Sequence, residues 1–546
     1  MSRVLRVRAV CFGLRVFGGW FSVLRPMIVA RSARACQTEI MVESALCQLR
    51  VPRYRTVLEQ KIRERRMTLE EFAEYAETFA RERGEPGTLS VRHLKRLMAG
   101  KGPNGRPLGP LRPATARLLE RIFEISADEL LGRPGEQPHT GDRERGGTDE
   151  AKRLVIERGL SMSKTDLADR QVRRSRVGRS RVADALAEYY GAEDELYQVR
   201  SAGSVVRTSV CTRADWLDLS CSPAGVHLRL AHDAGEPESS DAEAAAERLA
   251  DAKALHVRLV EAPLYRLLDV EVNRGSVSGV VGLTSFMNYA LSADLLEAEL
   301  VDQLTAGGPT QQGSLPMRDR DLPDLEAVHE LNERLCAGGV LALCAIARPA
   351  DPYRGPADYA LLVQERSDQV VNAARRLSVI PKGFHQPLVD ASGETSIGAT
   401  LLREMEEELF GRGDVDGTAG PHRAAAPMHP SRLSEPMRWL ADGPDRLRME
   451  CTGFGFNLVS GNYEFASLIV IEDDEFWARY GGQVEANWET GGMRIYSSLD
   501  KELITQLISD ESWCNEGLFA FLQGVRRLRE IGGKRVDLPA VEVLRG

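Results

Sequence analysis

Arg403, Glu404, Met405, Glu406, Glu407 and Glu408 form a compact group of chemistry-bearing side chains. On a helix, Glu404, Glu407 and Glu408 fall at i, i+3 and i+4. They share a face beside an apolar stripe of Leu401, Leu402, Met405 and Leu409. Carboxylates at that spacing repel one another by about a few tenths of a kcal/mol per pair. A bound Mg²⁺ reverses the sign, because hard cations take several oxygen ligands beside the phosphates of a substrate. The plainer reading is a solvated helix face, with Arg403–Glu407 and Glu408–Arg412 as i,i+4 ion pairs. The helix by itself leaves both readings open.

A second group is basic. In "TLSVRHLKRLMAG", residues 88–100, Ser90 reads as an N-cap and Gly100 as the stop. Val91, Leu94 and Leu97 face one side, and Arg92, His93, Lys95 and Arg96 face another. Such a helix suits a DNA major groove: Arg can bond guanine edges in bidentate fashion, while Lys and His reach phosphates. A solvated basic face is the alternative. Six further arginines, Arg170, Arg173, Arg174, Arg176, Arg179 and Arg181, could add salt-dependent phosphate contacts or form a solvated helix.

These groups need elements to position them. Residues 53–132 read as a compact helical unit, with apolar residues at helical spacing in "VLEQKIRERRMTLEEFAEYAETFA" and again in "PATARLLERIFEISADELLG". Residues 133–150, polar and rich in Gly and Pro, read as a linker. Residues 151–334 predict a helical and mixed middle region whose role the residues do not indicate. From 335 the texture changes. "GGVLALCAIA" and "DYALLVQERS" predict two strands, and "LSVIPKGFHQP" a strand entering a Gly/Pro turn. The acidic helix comes next, followed by an insertion over 412–436. A hairpin is expected in "MECTGFGFNLVSGNYEFASLIVI", with a helical tail in "EGLFAFLQGVRRLREIGG".

Residues 403–408 match the R-E-U-x-E-E core of the Nudix box, U being aliphatic, and the stretch 335–480 resembles a Nudix domain. The resemblance implies that Glu404, Glu407 and Glu408 are metal ligands, with Glu404 and Glu408 also the catalytic candidates. It further implies Mg²⁺ as cofactor and cleavage of nucleoside diphosphates linked to another group. Arg403 would orient the glutamates. The surrounding loop departs from the pattern. Thr395 stands where the upstream glutamate belongs, with Glu394 one residue off, and Phe410 stands where a glycine is expected. These departures favour sensing over hydrolysis. His385, in the turn, is a candidate phosphate contact.

The run 53–132 resembles the bacterial helix-turn-helix of the phage-repressor (XRE/Cro-like) type, with "SVRHLKRLMAGK" in the recognition position. That resemblance implies Ser90, Arg92, His93, Lys95 and Arg96 as contacts to double-stranded DNA. The link "ETFARERGEPGT" is longer than the family's tight turn.

The bulk numbers agree with a soluble protein of several domains. The chain has 546 residues, 43% hydrophobic and 28% charged. The net charge of −9 argues against whole-chain nucleic-acid affinity but not against a local basic module. Nine scattered cysteines without a C-x-x-C imply free thiols and a cytoplasmic location. Nothing reads as a membrane span. Residues 1–52 are expected to be a poorly ordered basic extension, with seven arginines and one acid in the first 40 positions. The expected fold is multidomain. An all-α helix-turn-helix domain comes first, then the mixed region, then an α/β C-terminal domain over 335–546 built as a Nudix-like α/β/α sandwich. The expected function is a transcriptional regulator, acting as a homodimer, that binds DNA and senses a nucleotide-like small molecule. A Mg²⁺-dependent Nudix hydrolase is the alternative.

Overall fold

The computed structural model describes residues 55–64, 69–82, 89–99, 111, 113–123 and 127–131 of the N-terminal part. It also describes 164–544 apart from 232–234, 236–240, 256, 258, 260, 369, 371–372, 389, 412–427, 444, 485–486 and 488. The expected basic extension, the linker over 133–150 and most of the 412–436 insertion lie outside the described residues. The chain divides into two compact units, Met1–Asp142 and Arg143–Gly546.

The described elements of the first unit are α1 (Val57–Glu64), α2 (Leu69–Glu82), α3 (Val91–Ala99), α4 (Pro113–Phe123) and α5 (Ala127–Leu131). Leu58, Ile62, Phe72, Leu94, Leu97, Leu118 and Leu130 close one core. Phe72 stacks on Phe123 with ring centroids 5.3 Å apart. The Thr56 hydroxyl ties the start of α1 to α3 by donating to the Met98 carbonyl at 3.1 Å.

The second unit is mixed α/β. Its helices are α6 (Lys164–Ser175), α7 (Arg179–Tyr190), α8 (Ala242–Leu255), α9 (Phe286–Ala290), α10 (Leu295–Ala306), α11 (Pro316–Asp321), α12 (Leu325–His329), α13 (Ile397–Glu408), α14 (Glu435–Ala441), α15 (Asp474–Tyr480), α16 (Lys501–Ile508) and α17 (Asn515–Ile531). Its strands are β1 (Leu196–Ser201), β2 (Ser204–Cys211), β3 (Leu217–Cys221), β4 (Val226–Leu230), β5 (Pro263–Asn273), β6 (Ser276–Ser285), β7 (Gly338–Arg348), β8 (Asp358–Arg366), β9 (Leu377–Val379), β10 (Lys382–Phe384), β11 (Leu447–Asn457), β12 (Asn462–Ile471), β13 (Thr490–Ser497) and β14 (Val541–Val543). Eleven strands make one sheet, running β13-β8-β7-β12-β11-β2-β1-β14, with β10 also on β7, β3 on β11 and β9 on β8. β4, β6 and β5 form a separate three-stranded sheet.

The fold therefore departs from the expected arrangement of an all-α helix-turn-helix domain, a separate middle region and a self-contained Nudix-like sandwich over 335–546. Strands from the middle region are built into the large sheet. Cys211 and Val210 of β2 pair with Phe456 and Asn457 of β11, and Cys221 of β3 pairs with Cys451. The physical reason lies in β11: its residues from Glu450 to Asn457 are all buried, so the strand needs partners along both edges. It takes β12 on one edge and β2 and β3 on the other. In the first unit the described helices do not by themselves establish an all-α domain.

The central strands explain the apolar runs. β7 and β12 are buried along their whole lengths and pair in parallel, from Tyr463–Gly338 to Ile471–Ile346. Because strand side chains alternate, β7 feeds two cores. Val340, Ala342, Cys344 and Ile346 join Ile397, Leu401 and Met405 of α13 and Leu409 at its end. Leu341, Leu343, Ala345 and Ala347 join Leu518, Phe519, Leu522 and Val525 of α17. The expected helical tail is thus a core element of the sheet's other face. Gly524 lets α17 settle on β7, where a side chain would strike Leu343 at 2.6 Å.

Candidate functional site

Helix α13 begins at Ser396, whose hydroxyl accepts from the Gly398 amide at 3.2 Å, and its apolar stripe lies against β7. Its glutamates are not a solvated face. Glu404 is 5% exposed, Glu407 9%, and Glu406 and Glu408 0%. Each is engaged by the protein. Glu404 is ion-paired with Arg403, and Glu407 lies 4.0 Å from the Arg403 Nε. Glu406 accepts from the Ser434 amide at 2.6 Å and its hydroxyl at 2.7 Å. Glu408 accepts from the Lys382 amide at 2.6 Å and from the Gln364 side chain at 3.4 Å. Gly383 in β10 makes room for Glu404: any side chain there would collide with the carboxylate.

Glu404 and Glu408 join a buried cluster of charged side chains contributed by β8, β10, β12 and the start of α17. Lys382 Nζ stands 2.7 Å from Glu516 Oε1, both side chains shielded from solvent. Burial works against the Lys382 ammonium, yet Cys514 and Glu516 keep its pKa above the ordinary lysine value. Burial likewise opposes the Glu516 carboxylate, and Lys382 overrides it and holds its pKa down. Glu408 is pushed well above the usual carboxylate range by burial, reinforced by Glu489 and Glu404. Glu464, on β12, is raised by burial and by Glu516. Glu297, on α10, is pushed up to about 7 by desolvation, with Asp294 and Glu516 adding to it. Two kinds of polar atom lie buried there without a hydrogen-bond partner: Glu464 Oε2, and Nε and Nη1 of Arg366.

On another side of α13 lies a cavity of about 440 Å³. Leu402, Met437, Leu440 and Met449 contribute apolar wall, while Arg403, Glu394 and Gln386 supply polar groups. With its amide turned so that the oxygen faces the guanidinium, Gln386 accepts from both Nη atoms of Arg403, at 3.1 and 3.2 Å. Arg403 therefore spans the cavity and the carboxylates.

The three box glutamates do not gather into a ready cation cage. Among the described residues, the one group of three ligand atoms within 4.8 Å of one another is Glu195, Cys211 and His329. As placed, Glu404, Glu407 and Glu408 fit their protein partners rather than an ion. Thr395 is buried, its hydroxyl donating to the Leu228 carbonyl at 2.7 Å, and Glu394 accepts from the Leu388 amide. His385 is a buried structural residue, 3.0 Å from the Tyr463 hydroxyl and 3.0 Å from the Thr395 carbonyl. Burial pushes its pKa down to about 3.

In the first unit, α3 buries Leu94, Leu97 and Met98 and leaves Ser90, Arg92, Lys95 and Arg96 exposed, with His93 half-buried. The Ser90 hydroxyl accepts from the His93 amide at 3.3 Å, as an N-cap does. The arginines of 170–181 are largely engaged inside the second unit. Arg170 pairs with Asp251, and Arg174 with Asp302 at 2.5 Å. Arg179 donates to the carbonyls of Asp510 and Arg207, and Arg181 to that of Leu304 at 2.7 Å.

Sequence reasoning missed Lys382, Glu516, Glu464 and Arg366, because their partners lie far away in the chain. An ionisable residue inside a strand buried on both faces, such as Glu464 in "YEFASLIVI", is the signal that could have found them.

No family model matches the chain, and no curated protein matches it. Among the described residues, no helix is long and apolar enough to cross a membrane.

Proposed function

We propose that the chain is a DNA-binding regulator whose second unit binds a nucleotide-derived metabolite. The observation that carries this reading is the cavity beside α13, where an apolar wall meets the Arg403, Glu394 and Gln386 groups. Small-molecule sites combine those features, an apolar lining with a few convergent polar groups. The methionines suit a planar base, being polarisable and adaptable. Arg403, whose fork is shared by Gln386 and Glu404, places a positive charge on the cavity wall, which suits an anionic group on the ligand. Support for DNA comes from α3, whose cationic side chains are exposed while its apolar face is buried.

The Nudix resemblance of residues 403–408 supports the ligand class. Sensing is favoured over Mg²⁺-dependent hydrolysis because Glu404 and Glu408 are already held by Arg403, Lys382 and Gln364. The test is calorimetry of the full chain with ADP-ribose, with and without Mg²⁺, alongside product analysis. Binding without turnover is expected. Mg²⁺-dependent turnover lost in Glu408→Gln would move the assignment to a hydrolase, and no binding at millimolar ligand would overturn the metabolite reading.

A further inference from the structure

Glu195, Cys211 and His329 come from three separate elements and place a carboxylate oxygen, a thiol sulfur and an imidazole nitrogen within 4.8 Å of one another. Strand pairing brings the first two together. Leu196 pairs with Cys211 across β1 and β2, so Glu195 lies one residue beyond that rung. The Thr212 amide then donates to the Glu195 carbonyl at 3.1 Å. His329 ends α12, with its ring edge-on to Phe456 at 5.5 Å and Trp216 at 6.1 Å. Phe456 is itself the β11 partner of Cys211. The aromatic wall thus aims the imidazole at the end of β2.

We propose that Glu195, Cys211 and His329 form a binding site for a transition-metal dication, zinc being the best chemical match, separate from the charged cluster beside α13. Thiolate, imidazole and carboxylate together are a zinc-type donor set, soft to borderline rather than the all-oxygen set of Mg²⁺. One carboxylate and one thiolate would balance a 2+ ion beside a neutral imidazole, the Cys211 thiol giving up its proton to solvent as the ion binds. Among the described residues, none of the three side chains makes a side-chain hydrogen bond, so their lone pairs are uncommitted. Cys211 is 2% exposed, whereas Glu195 is exposed. An ion would therefore enter from the Glu195 side. Tetrahedral ligand atoms stand roughly 3.3–3.8 Å apart at zinc bond lengths, so side-chain rotation of about 1 Å completes the site. His329 also borders a cavity of about 440 Å³ with Asp269, Glu330 and Glu333 on its wall.

The full chain titrated with Co²⁺ as a spectroscopic probe tests the site. One equivalent should give a near-ultraviolet sulfur-to-cobalt charge-transfer band, displaced by one equivalent of Zn²⁺. Cys211→Ser should lose the band, and Glu195→Gln and His329→Gln should weaken Co²⁺ binding at least about tenfold. Glu195 is exposed and His329 half-buried, so these two variants remain readable if the buried Cys211→Ser does not fold; circular dichroism reports that. The absence of a thiolate band, or a band of the same affinity in both surface variants, would overturn the proposal.

Discussion

The backbone amide of Lys382 donates to Glu408 at 2.6 Å, and the Lys382 ammonium bonds Glu516 at 2.7 Å. One residue of β10 thereby joins the acidic helix α13 to the start of α17. The environment treats the two carboxyls oppositely: Glu408 is raised and Glu516 lowered.

Glu408 makes the fold pH-sensitive in a defined direction. Its folded pKa lies well above the ordinary 4.5, so the folded state holds the proton more tightly than the unfolded chain. Its contribution is complete below 4.5 and is lost as pH rises through the folded value. Glu408→Gln mimics the protonated form and removes that dependence. Thermal melting from pH 5 to 9 should show the native chain losing stability relative to Glu408→Gln. The loss should be about 1.4 kcal/mol for each pH unit traversed below the folded value. A constant difference would contradict the assignment.

Removing Lys382 leaves Glu516 buried beside Glu464 without its cation. Lys382→Met should cost about 3–5 kcal/mol in urea unfolding. Pairing it with Glu516→Leu should recover a large part of that loss, because no uncompensated charge then remains. Additive losses in the double variant would mean that the two side chains are not coupled.

His385 acts in acid. Its pKa falls from 6.5 to about 3 in the folded state, so the unfolded chain binds the proton more tightly. The associated stability is present above 6.5 and is lost as pH falls towards about 3. His385→Gln should be less stable than the native chain at pH 7 because a buried hydrogen bond is disturbed, and the gap should narrow at pH 4. A gap that widens at pH 4 would contradict the neutral, buried imidazole.

The cavity beside α13 gives a steric test. Leu402→Trp adds bulk where Leu402 borders open volume. It should weaken ADP-ribose binding at least about tenfold, about 1.4 kcal/mol, in calorimetry with the melting temperature nearly unchanged. Unchanged affinity would place the ligand elsewhere.

Local patterns carry much of the second unit. The unbroken apolar run of β7, the hairpin around Ser460–Gly461 and the α13 stripe are all legible, since each is written in consecutive residues. The membership of β1, β2 and β3 in the same sheet is not. Cys211 and Phe456 pair across a long stretch of chain, and neither flanking sequence encodes the other. The burial of the acidic helix is hidden for a similar reason. Four glutamates in five positions have the pattern of a wet surface, while Arg403 is the one local partner that compensates them. Lys382, Gln364 and Ser434 arrive from elsewhere in the chain. The arginines of 170–181 show the converse: a basic run that reads as a phosphate-binding face spends several of its charges on Asp251, Asp302 and backbone carbonyls.

The central claim joins DNA binding to ligand binding, and a ligand regulates only by binding two states unequally. The direct measurement is fluorescence anisotropy of the full chain on mixed duplex DNA across a salt series, with and without ADP-ribose. The account predicts binding at low salt that falls steeply as salt rises, with an affinity shifted by the ligand. In the triple variant Arg92→Ala/Lys95→Ala/Arg96→Ala the salt slope should shrink by about 0.9 for each DNA phosphate no longer neutralised. No binding at low salt, or the same binding and slope in the triple variant, would contradict it.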